Sequence, residues 1–256
     1  MDTHNNGQHT PEAVAGQNGS PRIAAVLAER AKAGRAALVP YVTAGFPQPD
    51  LSLEVLRALV AGGADIIELG VPFSDPAADG PTIQRANDHA LAAGMSLAKV
   101  LALVTEFRRE NTHTPIVLMG YCNPIEAMGL QRFADAAAQA GVDGVLVVDC
   151  PPEEAQDYAA VLRRHRIDLI YLLAPTSTPA RYRLVGEIAR GYVYYVSLKG
   201  VTGAGHLDTD AVVIGSRLIE VLEADEPAGA PQRAQAWLAG VRQAIDAVPL
   251  RKAASV

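Results

Sequence analysis

Seven short apolar runs, spaced along one chain and separated by amphipathic stretches, constrain this fold more than any other feature of the sequence. The runs cover residues 37–42, 65–70, 115–119, 144–148, 169–173, 192–197 and 211–215. Between most of them lie stretches with helical spacing at 51–61, 97–111, 131–140, 152–165 and 179–190, and a short helix marked by Ile23, Val26 and Leu27 ends at Gly34. Strands as continuously apolar as Ala37-Leu38-Val39 are covered on both faces, and their alternation with helices predicts a parallel sheet in an α/β fold. A doubly wound sheet would place one glycine-rich phosphate turn after its first strand. Here polar residues gather after several different strands, at their carboxyl ends, which favours a TIM-type (β/α)8 barrel.

The strand count then falls one short. After the sixth run the chain passes through Leu198-Lys199-Gly200-Val201-Thr202-Gly203-Ala204-Gly205-His206-Leu207-Asp208-Thr209 directly into the last run at Ala211. A parallel crossover needs a dozen or more residues, usually helical, and a full strand-plus-helix unit takes roughly 30 or more. A glycine-rich linker supplies neither. The expectation is a barrel whose seventh strand–helix unit is missing between His206 and Ala211, with an open seam flanked by two strand edges. The barrel domain is expected over residues 21–250. Residues 1–20, polar and turn-rich with no apolar core, read as a disordered tail and not as a signal peptide.

Two acids stand out against this framework. Glu68 ends the run Ile66-Ile67-Glu68-Leu69-Gly70, and Asp79 follows on a loop, 71–81, too rich in proline and glycine for helix. A carboxyl desolvated among Ile and Leu should have a raised pKa, whereas one on a wetter loop should stay ionised, so the two suit different proton-transfer roles.

Composition excludes other classes. The chain carries a formal charge of −6 with no Lys/Arg cluster, which argues against nucleic acid. No apolar run approaches the roughly 18 residues that span a bilayer, so no membrane role is expected. Cys122 and Cys150 read as reduced thiols at strand ends, which points to the cytoplasm. The six histidines are scattered; His89, His113 and His165 fall in helical or turn surroundings, and no metal site or cofactor is expected. Lys199 follows the sixth strand, where a Schiff-base aldolase could keep its lysine. It borders a glycine loop instead of standing inside an apolar run, and reads as loop structure or phosphate attraction.

The strings P-Y-V-T-A-G-F-P from Pro40, E-L-G-V-P-F-S-D-P-A-A-D-G-P from Glu68, M-G-Y-C-N-P-I from Met119, S-L-K-G-V-T-G-A-G from Ser197 and V-V-I-G-S-R from Val212 occur in order. With them the chain resembles the tryptophan synthase α-subunit family from Ile23 to about Ala247. The resemblance implies a (β/α) barrel that cleaves indole-3-glycerol phosphate to indole and glyceraldehyde 3-phosphate. It works beside a pyridoxal-phosphate β subunit in an α2β2 assembly and needs no cofactor of its own. It implies Glu68 and Asp79 as the catalytic pair: Asp79 accepting or orienting the indole N–H, and Glu68 shuttling protons at C3 and the adjacent hydroxyl. It further implies Tyr121 and Tyr194 around the indole ring, and Thr202, Gly203, Gly215 and Ser216 at the phosphate.

The family also carries a Gly-Phe-Gly turn on a strand and helix before the last strand, and this chain has none. The resemblance therefore locates the missing unit where the crossover length does. A non-catalytic scaffold that binds the β subunit is the alternative reading, because half of the phosphate cradle would be absent. An unrelated sugar-phosphate aldolase or isomerase on the same barrel is a third.

Overall fold

Seven parallel strands form the centre of the molecule. The computed structural model describes residues 19–196 and 210–248. Within these, the strands are β1 (Ala37–Thr43), β2 (Ile67–Gly70), β3 (Ile116–Gly120), β4 (Gly144–Val147), β5 (Asp168–Leu173), β6 (Val193–Tyr195) and β7 (Ala211–Ile214). Every neighbouring pair is parallel, in the spatial order β6-β5-β4-β3-β2-β1-β7. Chain order thus runs along the sheet from β1 to β6, and β7 returns to the far side of β1. Among the described residues β6 and β7 do not pair with each other, so the sheet stays open where an eighth strand would close it, as the short crossover predicts.

The helices are α1 (Pro21–Ala33), α2 (Ser52–Ala61), α3 (Pro81–Ala92), α4 (Leu97–Arg108), α5 (Cys122–Met128), α6 (Leu130–Ala140), α7 (Gln156–Arg164), α8 (Pro179–Ile188), α9 (Ser216–Glu223) and α10 (Ala230–Asp246). The apolar spacing anticipates α1, α2, α4, α6, α7 and α8. It does not anticipate α3, α5, α9 or α10, whose polar residues and proline starts obscure the repeat; α3, α5 and α10 each carry a proline in the first turn or just inside it. The tail expected over 1–20 lies outside the described residues except for Gly19 and Ser20. Ser20 is buried, and its hydroxyl accepts from the Ile23 N–H as the N-cap of α1.

Register sorts the strand residues into two faces. Val39, Ile66, Val117, Leu146 and Ile170 share the inner face, and Ile23 from α1 packs against them. Leu38, Ile67, Leu69, Ile116, Leu118, Val145 and Leu169 face the helices. The amino-terminal end is closed by charge. The Asp143 carboxylate accepts from Arg108 at 2.6 Å, from Arg22 and the Ser20 hydroxyl at 2.8 Å, and from the Ile116 N–H at 2.9 Å. Asp65 likewise accepts from the Leu38 N–H at 2.8 Å and pairs with Arg30 at 2.8 Å and Arg242 at 3.1 Å. These two acids tie α1, α4 and α10 to the strands and leave the carboxyl end free for chemistry.

At the seam two outward side chains are exposed, one of which, Tyr195, hydrogen-bonds Tyr182 of α8. Val193 is 42% exposed and Tyr195 53% exposed, on the face of β6 that a following helix would cover. Cys122 opens α5 and Cys150 lies in the loop after β4; both are free and half-buried.

Candidate active site

Glu68 stands on β2, two residues past Ile66 on the inner face, and its row in the register holds Tyr41 of β1 and Val117 of β3. The side chain is 1% exposed. Burial pushes its carboxyl up to about 7, offset in part by the hydrogen bond it accepts from Tyr192. That bond runs from the Tyr192 hydroxyl to Oε1 at 2.8 Å, while the buried Oε2 has no hydrogen-bond partner among the described residues. One oxygen is therefore held and the other is left for a ligand, on a group that can give or take a proton near neutral pH.

Asp79 lies on the loop that connects β2 to α3 and is half-buried. Burial raises its pKa too, and hydrogen bonds from Tyr121 and Asn87 pull it back down. The loop acid is thus less wet than its proline and glycine surroundings suggest. Three contacts hold it in place. The Ala78 N–H donates to the Tyr121 hydroxyl at 3.1 Å, the Gln84 amide donates to the Asp79 carbonyl at 2.8 Å, and the Asn87 amide donates to Asp79 Oδ2 at 3.3 Å.

Tyr41 links the two acids. Its buried phenol, hydrogen-bonded to Thr43 Oγ1 at 3.2 Å, is pushed up by burial and then by the charges of Asp79 and Glu68, so both carboxylates act on one hydroxyl. The ring needs Gly70 beneath it: a Cβ there would sit 2.3 Å from the Tyr41 oxygen. This explains a glycine at the end of β2 in mechanical terms.

The other predicted residues fall as follows. Tyr121, at the end of β3, is buried with its ring 5.1 Å from that of Phe73, so it clamps the Asp79 loop as well as facing the carboxyl end. Tyr194 lies on the inner face and its phenol is pushed up by burial and by the Glu68 charge. Gly215 is the N-cap of α9 and Ser216 its first residue, directly after β7. Thr202, Gly203 and Lys199 lie outside the described residues.

Sequence reasoning missed Tyr192 and Asn87. Tyr192 precedes Tyr194 by two, so strand alternation alone puts both on one face. Asn87 is an amide on the buried stripe of α3, between Ala86 and Ala90, and a polar residue at such a position is itself a signal.

A family model described as "Tryptophan synthase alpha chain" matches residues 27–209. The chain belongs to this family. The tryptophan synthase alpha chain of Laribacter hongkongensis is 52% identical over 263 positions, covering 88% of this chain and 99% of that protein. That of Cupriavidus pinatubonensis is also 52% identical, with the same coverage. A crystal structure of tryptophan synthase subunit alpha from Legionella pneumophila superposes with a TM-score of 0.83 at 39% identity, covering 89% of this chain and 99% of that one. Eighty-eight per cent of 256 residues is about 225, so roughly 38 of the 263 positions aligned with the Laribacter protein fall opposite gaps here. That is the size of one strand–helix unit.

Proposed function

We propose that this chain cleaves indole-3-glycerol phosphate by a retro-aldol reaction in tryptophan biosynthesis, with Glu68 and Asp79 exchanging the protons. The observation that carries this reading is the state of Glu68: sealed on the inner face, titrating at about 7, one oxygen held by Tyr192 and the other free.

Glu68, protonated, delivers its proton to C3 of the indole ring while Asp79 takes the proton from the ring N–H, giving an indolenine. The bond between C3 and the glycerol carbon then breaks. Its electron pair returns to the ring, the adjacent hydroxyl becomes an aldehyde by giving its proton to Glu68, and N1 recovers a proton from Asp79. Each acid ends as it began and no net proton is consumed. Tyr194 and Tyr121 flank the ring. The phosphate is held by backbone N–H groups at Gly215 and Ser216, where the start of α9 favours an anion, together with Thr202 and Gly203.

The family match and the complexes among its structural relatives support a β-subunit partner, in an α2β2 assembly. Structures of tryptophan synthase from Mycobacterium tuberculosis and of a tryptophan synthase complex from Pyrococcus furiosus contain chains that superpose on this one with TM-scores of 0.78 and 0.73. A scaffold that binds the β subunit without turnover is the second reading, and the open edge between β6 and β7 is its one support.

Indole release from indole-3-glycerol phosphate, assayed with and without β subunit, separates the two. Retro-aldol catalysis predicts release by the parent chain and losses of about 10²–10⁴-fold in Glu68→Gln and Asp79→Asn. Activation of the β subunit with no indole release at any pH would establish the scaffold instead.

A further inference from the structure

We propose that Asn87 is a positioning residue for Asp79: its side-chain amide holds the loop carboxylate in place and in its charged form. The inference rests on the reading that Asp79 exchanges a proton with the substrate, and concerns a residue outside the pair.

The case is geometric. Asn87 lies on α3, about two turns past the loop that carries Asp79, so a bond between them ties the far end of that loop to the helix. Its side chain is 2% exposed, which is costly for an amide unless it serves as a donor or acceptor. The Nδ2 group donates to Asp79 Oδ2 at 3.3 Å, and the buried Oδ1 has no partner among the described residues. A purely structural asparagine would satisfy both ends within the helix packing. This one spends its donor on Asp79 and keeps an unpaired acceptor beside it.

The surroundings make that donor matter. The groups that face Asp79 are the Tyr121 phenol from the end of β3 and the Tyr41 phenol from β1, which feels the Asp79 charge, with Asn87 from α3. Among the described residues no cation pairs with Asp79 and none acts on its titration. Tyr121 is shared, because its hydroxyl also receives the Ala78 N–H. A half-buried carboxylate supported only by neutral donors loses much of that support when one is removed.

The test compares Asn87→Leu, which keeps the volume and removes the donor, with Asn87→Ser, which keeps a shorter one. Carbon-13 NMR titration of the Asp79 carboxyl in aspartate-labelled full-length chain, assigned with Asp79→Asn, reads protonation whether or not the protein turns over. In Asn87→Leu the midpoint is expected to rise by roughly 0.5–1 pH unit, and in Asn87→Ser by less. The acid limb of indole release should move by the same amount, with kcat recovering at high pH and KM changing little. A midpoint unchanged in Asn87→Leu, or a uniform loss of kcat at all pH values with no shift, would overturn the proposal. A shifted midpoint in a chain that releases no indole would uphold it and count against Asp79 as a catalyst. If Asn87→Leu fails to fold, Asn87→Asp decides: a like charge there must raise the Asp79 midpoint, and a midpoint that stays put refutes contact between the two.

Discussion

Glu68 carries a stability cost together with the proton-transfer role proposed for it. Its carboxyl titrates at about 7 in the folded chain against 4.5 for the free group, because burial penalises the charged form. The folded state therefore binds a proton more tightly than the unfolded chain does. The resulting stabilisation is complete below about pH 4.5 and is lost as pH rises through 7. Glu68→Gln, which cannot ionise, should lack this dependence. Urea unfolding is expected to show the variant gaining on the parent between pH 5 and pH 8, by about 2–3 kcal/mol at the upper end. A constant difference across that range would mean that Glu68 is not sealed from water. The burial of Glu68 was legible in the sequence because it stands within an apolar strand, whereas the partial burial of Asp79 was not, because its proline and glycine neighbours read as a wet loop. Tyr192 and Asn87 were not, because a tyrosine among three in one run and an asparagine in a helix are each commonly packing or surface residues until a contact singles them out.

Strands and helices are held at the amino-terminal end by buried ion pairs, not by apolar packing alone. Asp143 joins α1, α4 and the start of β3 through four hydrogen bonds, with Arg108 itself largely covered. Removing one partner of such a cluster leaves an uncompensated charge. Asp143→Ala is expected to cost about 3–5 kcal/mol in urea or thermal unfolding, with Glu68 chemistry unchanged in whatever fraction remains folded. A loss below 1 kcal/mol would show that water already shares the cluster. Apolar spacing revealed the strands and six helices, since each packs one continuous face on the sheet. It missed α5, whose run Cys122-Asn123-Pro124-Ile125 is too short to show a period, and α3, whose buried stripe is built from alanine and asparagine.

At the scale of the whole molecule, one missing unit organises what is unusual. Among the described residues the sheet ends at β6 and β7, and Val193 and Tyr195 on β6 are exposed, with Tyr195 meeting Tyr182 of α8. About 38 positions of a relative have no counterpart here. Chain length made this deletion legible before any coordinates, because a parallel crossover cannot be made shorter than its geometry allows. The phosphate side was not legible in the same way, since Thr202 and Gly203, implied there by the resemblance, carry no periodic signal in the sequence and lie outside the described residues. The two acids lie on β2 and the loop that follows it, where the pairings with β1 and β3 are intact, and Tyr192, next to the edge strand β6, reaches them through its hydroxyl on Glu68. The account therefore predicts that the proton relay survives the deletion even where phosphate binding is weakened. The most direct test is a crystal structure with an indole phosphate analogue that lacks the hydroxyl on the carbon next to C3, so that the carbon–carbon bond cannot break. The ring should lie inside the mouth of the sheet, with an Asp79 oxygen about 3 Å from its N–H and Glu68 Oε2 facing C3. A ring bound elsewhere, or one that touches only a single one of these carboxyl groups, would contradict the account.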